Sequence, residues 1–149
     1  MNLRRFFSVP EYSTFADLVL LFVRLLAGVA FMVFGWSKIQ NPFGWMGPEA
    51  KVPGIFQALA ALSEFGGGMA WIIGLLTPLA SLGIAFTMAV AFSMVAFVYK
   101  MPFVSKDGGP ASVLPALLFA IAMLLIAFGP GRLSFDRKLF GPRERPRSE

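Results

Sequence analysis

LSEFGGGMAWIIGLLTPLAS, residues Leu62–Ser81, is the stretch on which the fold turns. Glu64 stands between long apolar runs and is followed by three consecutive glycines. A carboxylate in lipid is expensive and usually has a job. Glycine also weakens a helix by roughly 1 kcal/mol relative to alanine. Placing both at one spot makes sense if the segment is a spanning helix that packs closely on a neighbour. Gly66, Ala70 and Gly74 recur at steps of four, and such small-residue stripes let helix backbones approach in a bilayer. Gln57, Glu64 and Trp71 recur at steps of seven, with Gly67 and Gly68 between, so the polar and small positions share a side.

The rest of the chain agrees with a membrane setting. Of 149 residues, 57% are hydrophobic and only 14% are charged, against about 45–50% and 25% in soluble domains. Mean hydropathy is +0.73. A spanning helix needs about 20 apolar residues, and four candidates emerge: Phe15 to Ile39, Ile55 to Leu76, Leu79 to Tyr99, and Ser112 to Phe128. The predicted fold class is therefore an all-α membrane protein, a four-transmembrane-helix bundle over 15–128. A cytoplasmic N-terminal segment, 1–14, and a basic cytoplasmic tail, 129–149, flank it. The first apolar run is longer than a signal-peptide core and no A-x-A site closes it, so it is read as retained. Thr14-Phe15-Ala16-Asp17 is read as its capping box. The Thr77-Pro78 connection predicts a tight hairpin between the second and third helices.

Topology follows from the basic residues. With four spans, Arg4, Arg5, Arg132, Arg137, Lys138, Arg143, Arg145 and Arg147 share one side, and Lys38, Lys51, Lys100 and Lys106 the other. Eight against four puts both termini in the cytoplasm and the loops Asn41–Gly54 and Lys100–Pro110 outside. The net charge of +5 is concentrated at termini and loop edges. That pattern suits anionic headgroups rather than nucleic acid. Cysteine and histidine are absent, which excludes thiol redox centres, His-ligated haem, imidazole catalysis and zinc sites of the usual kind, and no metal site is expected.

The first helix carries Arg24, Gly28, Phe31, Gly35 and Lys38 on one face, at steps of four, three, four and three. Counted from the helix ends at 1.5 Å per residue, Arg24 lies roughly 14 Å and Glu64 roughly 18 Å deep. Similar depth predicts an Arg24–Glu64 pair, made directly or through a ligand, although side chains lean toward their own helix N-terminus and would draw the two apart. Such a pair either ties two helices together or marks a site. Arg24 could also snorkel to the interface. Lys38, at a helix end, reads as an interfacial anchor, as does Trp45 in the first loop. The packing residues read from the two stripes are Gly28, Gly35, Gly66, Gly67, Gly68 and Gly74.

Three motifs in order resemble the DoxX family of membrane proteins. They are LLFVRLLAGVAFMVFGWSKIQNP (Leu20–Pro42), the Glu64-x-x-Gly67-Gly68…Gly74-Leu75-x-Thr77 run, and FGPGRLSFD (Phe128–Asp136). The resemblance implies a four-helix membrane bundle and an association with membrane oxidoreductase systems, some of them quinone-linked. Three readings follow. One is a redox-linked subunit binding a quinone near Arg24, Glu64, Gln57 and Trp71, with Glu64 relaying protons. Another is a non-catalytic scaffold recruiting soluble enzymes through its basic tail, and a soluble oxidoreductase is one partner the resemblance implies. A third is a homo-oligomeric carrier for a lipophilic or anionic solute.

Overall fold

The computed structural model describes residues 7–142. Within them the fold is all-helical apart from one isolated bridge, Val9 to Pro142, that ties the two ends of the chain together. Four helices follow one another: α1 (Thr14–Gln40), α2 (Gly54–Ile73), α3 (Thr77–Ser93, continued by a π-helical turn Met94–Val98) and α4 (Val113–Phe128). A short helix, α5 (Phe135–Phe140), lies in what reads by composition as a plain basic tail. Arg4, Arg5, Arg143, Arg145 and Arg147, counted above for topology, lie outside the described residues.

α1 packs along α2, α2 on α3 and α3 on α4, while α1 and α4 barely touch. The bundle therefore has a terminal end, where Val9 meets Pro142, and a loop end, formed by residues 41–53 and 99–112. Two helical stretches, Thr14–Gln40 and Thr77–Val98, are long and apolar enough to cross a membrane by length and composition. α2 is diluted by Gln57, Glu64 and its glycines, and α4 is wholly apolar but only 16 residues long, about 24 Å.

The distribution of side chains is inside-out. α1 buries Asp17 and Arg24 among Leu20, Ala27, Phe31 and its glycines. Its outer face presents Phe15, Phe22, Leu26 and Val33, all more than 60% exposed. A water-soluble helix does the opposite. Polar groups sheltered from an apolar surround are what lipid demands.

Local chemistry sets the helix ends. α1 is capped by Ser13, whose hydroxyl accepts from Ala16 N at 3.3 Å. The expected capping box is thus shifted by one residue, and Asp17 is released to bind Arg132 instead. α2 stops at Gly74, which adopts the left-handed conformation at φ 72° that glycine tolerates best. A Cβ at Gly74 would also overlap the Arg24 guanidinium, so the residue ends the helix and makes room at once. The turn between α2 and α3 is Gly74–Leu76, and Thr77 and Pro78 are the first residues of α3, where a proline lacks nothing.

The three consecutive glycines point in three directions, because successive helical residues are about 100° apart. A Cβ on Gly68 would sit 2.8 Å from the backbone oxygen of Gly28, and one on Gly28 would sit 2.8 Å from that of Gly68. The two backbones are in direct contact there, and Gly35 meets the Phe65 backbone in the same way. Gly67 faces the Ile84 side chain of α3. Gly66 meets only the Leu62 side chain at 3.4 Å and faces a groove, so its expected role in tight packing is not seen.

Two neighbouring glycines should therefore respond oppositely to one added methyl. Gly68→Ala is expected to destabilise by about 1–3 kcal/mol, since the obstructing atom is backbone. Gly66→Ala is expected to be neutral or to stabilise by up to ~1 kcal/mol through helix propensity. Thermal unfolding in detergent reads both, and equal losses would place Gly66 in a helix contact after all.

Candidate functional site

The sequence-predicted site residues separate into two polar centres at opposite ends of the bundle. The cause is register. Gly28 meets Ile72 and Gly35 meets Phe65, and in each pair the residue numbers add to 100. Arg24 is thus level with position 76 and Glu64 with position 36. The two lie about 18 Å apart along the helices. Depth counted from the helix ends misleads because α1 overhangs α2 by roughly ten residues at the terminal end. Arg24 and Glu64 do not pair.

Arg24 is fully buried and donates to four backbone carbonyls. Its Nε reaches Trp71 O at 2.8 Å and its Nη2 reaches Ile72 O at 3.2 Å. Its Nη1 reaches Pro130 O at 2.8 Å and Leu133 O at 3.0 Å. The first two are carbonyls of the last turn of α2, which have no partner within the helix, and a cation there also meets the negative end of the helix dipole. Asp136 mirrors this at the start of α3, accepting from Leu76 N at 2.6 Å and Thr77 N at 2.8 Å. Asp17 completes the centre by accepting from Arg132 N at 2.8 Å and Arg132 Nε at 2.5 Å. Ser134 caps α5 and donates to Gly131 O at 2.7 Å. Residues 129–140 therefore form a clasp across the ends of α1, α2 and α3. Arg24 spends four of its N–H donors on backbone carbonyls there. Asp17 and Asp136 were missed in the sequence because each lies beside a helix start, where a carboxylate reads as an ordinary cap.

Trp71 is likewise structural. It is fully buried, donates from Nε1 to Ser81 Oγ at 2.9 Å, and stacks edge-on against Phe31 with centroids 5.4 Å apart.

The second centre is at the loop end. Lys38 Nζ lies 2.6 Å from both Glu64 Oε1 and Glu64 Oε2. Glu64 is 4% exposed and Lys38 23%. Lys38 is thus an inward-facing ion-pair partner, not the expected interfacial anchor. The signal for it was present: Lys38 lies one turn beyond Gly35 on the packed face. The Trp45 ring covers the ammonium at 4.7 Å, a cation–π contact. Trp45 Nε1 donates to Gln57 O at 2.9 Å, so its place is set by α2 rather than by headgroups. Gln57 pins the first loop, accepting from Met46 N at 3.0 Å and donating to Val52 O at 2.9 Å.

Residues of this centre line the loop-end half of an open groove of about 1060 Å³ between α2 and α3. Along α2 the groove runs from Phe56 to Ala70, about 21 Å, past Leu59 and Leu62 and facing Leu79, Leu82 and Phe86 of α3. Of the four predicted ligand or relay residues, Glu64 and Gln57 line it, and Arg24 and Trp71 do not.

Double-mutant cycles separate the two centres. Glu64→Gln combined with Lys38→Met should show a coupling of about 1–3 kcal/mol, and Glu64→Gln combined with Arg24→Met should be additive within ~0.5 kcal/mol. Unfolding midpoints in detergent supply both, and strong Arg24–Glu64 coupling would contradict the register described above. Arg24→Met alone should cost about 3–5 kcal/mol or prevent folding, because it strands buried carbonyls.

Comparison with known proteins places the chain in a family. The family model described as DoxX matches residues 19–98, which span α1, the first loop, α2, α3 and its π-helical turn. The chain is 33% identical over 130 residues to the inner membrane protein YqjF of Escherichia coli (strain K12), covering 83% of this chain and 93% of that protein. No solved structure matches. With its two glycine-bearing helices inside the matched region and a relative aligned over nearly its full length, the chain belongs to the DoxX family of membrane proteins.

Proposed function

We propose that this DoxX-family protein crosses the inner membrane four times, with both termini in the cytoplasm. We further propose that it holds a quinone-like lipophile in the α2–α3 groove as a subunit of a membrane oxidoreductase system. The inside-out burial pattern supports four spans, since α2 keeps its polar groups inward and α4 exposes apolar side chains around most of its surface. The basic asymmetry supports the orientation. The relative's inner-membrane description supports the location.

The observation that carries the ligand reading is an apolar groove whose lining holds one sheltered ion pair. Lipophile sites are mostly apolar, with a few fixed polar groups that orient the head. Lys38 supplies N–H donors for a carbonyl oxygen, and Glu64 supplies acceptor lone pairs for a hydroxyl. Trp45 and the Gln57-pinned loop cover the loop end and limit access of water. The apolar walls of α2 and α3 hold the tail. Bound quinone supplies the redox chemistry, while the residues of this chain bind, orient and shield it.

Protein purified in mild detergent should carry about one quinone per chain, measured by extraction and absorbance. Gly66→Leu, which projects into the groove without meeting backbone, should remove it and keep the unfolding midpoint. Quinone at detergent background in the wild type would end the ligand reading. Reporter fusions at Ala50 and after Glu149 should report outside and cytoplasm respectively, and the reverse would invert the topology.

A further inference from the structure

We infer that the α2–α3 groove is a charge filter: it accepts lipophiles whose polar head carries no net charge and rejects those with an anionic or cationic head. The inference rests on the groove being a lipophile site and adds the class of head it takes.

Among the described residues, Lys38 and Glu64 are the only ionisable side chains lining the groove, and they neutralise each other at 2.6 Å. Lys38 is satisfied on two sides, by both carboxylate oxygens and by the Trp45 ring. It is therefore not a free cation waiting for a phosphate or carboxylate. Glu64 is almost fully covered and is likewise compensated.

An anionic head would have to share Lys38 with Glu64, leaving one negative charge in excess where water is scarce. A cationic head would leave one positive charge in excess. Charges interact far more strongly away from water, and an uncompensated one there is costly. An uncharged head meets no such penalty.

It also meets the hydrogen-bonding capacity that is left. Gln57 spends both ends of its amide on the first loop, and the Trp45 indole N–H is spent on Gln57 O. The Thr87 hydroxyl donates to Gly83 O at 3.0 Å. Unspent capacity includes a donor on Lys38, acceptor lone pairs on Glu64, and the Ser63 hydroxyl, which faces Gly83 of α3 and has no partner. These suit a head that both accepts and donates hydrogen bonds while staying neutral.

The test uses three probes with one tail and different heads: oleoyl glycerol, oleyl sulfate and oleyl trimethylammonium. Binding to the full chain is read by native mass spectrometry from an uncharged detergent. Oleoyl glycerol should bind at least ~10-fold more tightly than either charged probe, and Gly66→Leu should abolish its binding. Glu64→Gln should swing the preference to the sulfate, Lys38→Gln should swing it to the ammonium, and the double variant should regain the neutral preference. Charged and neutral probes binding equally, all lost in Gly66→Leu, would overturn the filter and leave the groove standing as a site. Binding unaffected by Gly66→Leu for every probe would overturn both readings.

Discussion

The contact between the Gly28 and Gly68 backbones governs most of this structure. Once α1 and α2 touch at that level, the register of every other α1–α2 pair follows. Lys38 comes within reach of Glu64, and Arg24 arrives at the end of α2 where carbonyls lack partners. Removing the side chains at this crossing costs helix propensity, but it exchanges that loss for close packing in a solvent where apolar burial offers no driving force between helices. The two polar centres are thus consequences of one steric fit.

Their chemistry differs in kind. In the terminal centre Arg24 and Asp136 each spend their charge on helix ends, one on carbonyls and the other on N–H groups, and the buried Thr77 hydroxyl is left without a partner. The loop-end centre is an ion pair with unused capacity beside a large apolar groove. A charged residue inside a membrane helix invites a functional reading, but the count of its hydrogen bonds decides. By that measure Arg24 is spent on backbone carbonyls, while Glu64 and Lys38 keep hydrogen-bonding capacity.

Much of this was legible in the sequence. The four apolar segments, the glycine faces of α1 and α2, and the inward position of Glu64 all follow from composition and spacing. The Arg24–Glu64 pairing did not survive, because depth was counted from helix ends that do not lie level. Intramolecular register depends on which small residues meet, and the FGGGMA run offers three candidate faces within one turn. The structure uses Gly68 against α1, Gly67 against α3 and Gly66 on the groove. The clasp was illegible for a different reason. Asp17, Asp136 and Arg132 are separated by more than a hundred residues or by turns with no periodicity, so their meeting is purely tertiary. Lys38 was misread because a lysine at a helix end looks the same whether it points to headgroups or to a carboxylate one helix away.

The clasp has a consequence for how the chain is made. Arg24 leaves the ribosome 106 residues before Pro130, the first of its two acceptors outside α2. At usual elongation rates that interval is on the order of 5–20 s. During it, the first helix must be handed to the membrane with a guanidinium whose final partners do not yet exist. Its nearness to the N-terminal end of α1 leaves that charge within reach of the membrane surface in the interim. Residues 129–140 supply the remaining two carbonyls, so a nascent chain cut short before Pro130 would leave Arg24 without half of its hydrogen bonds.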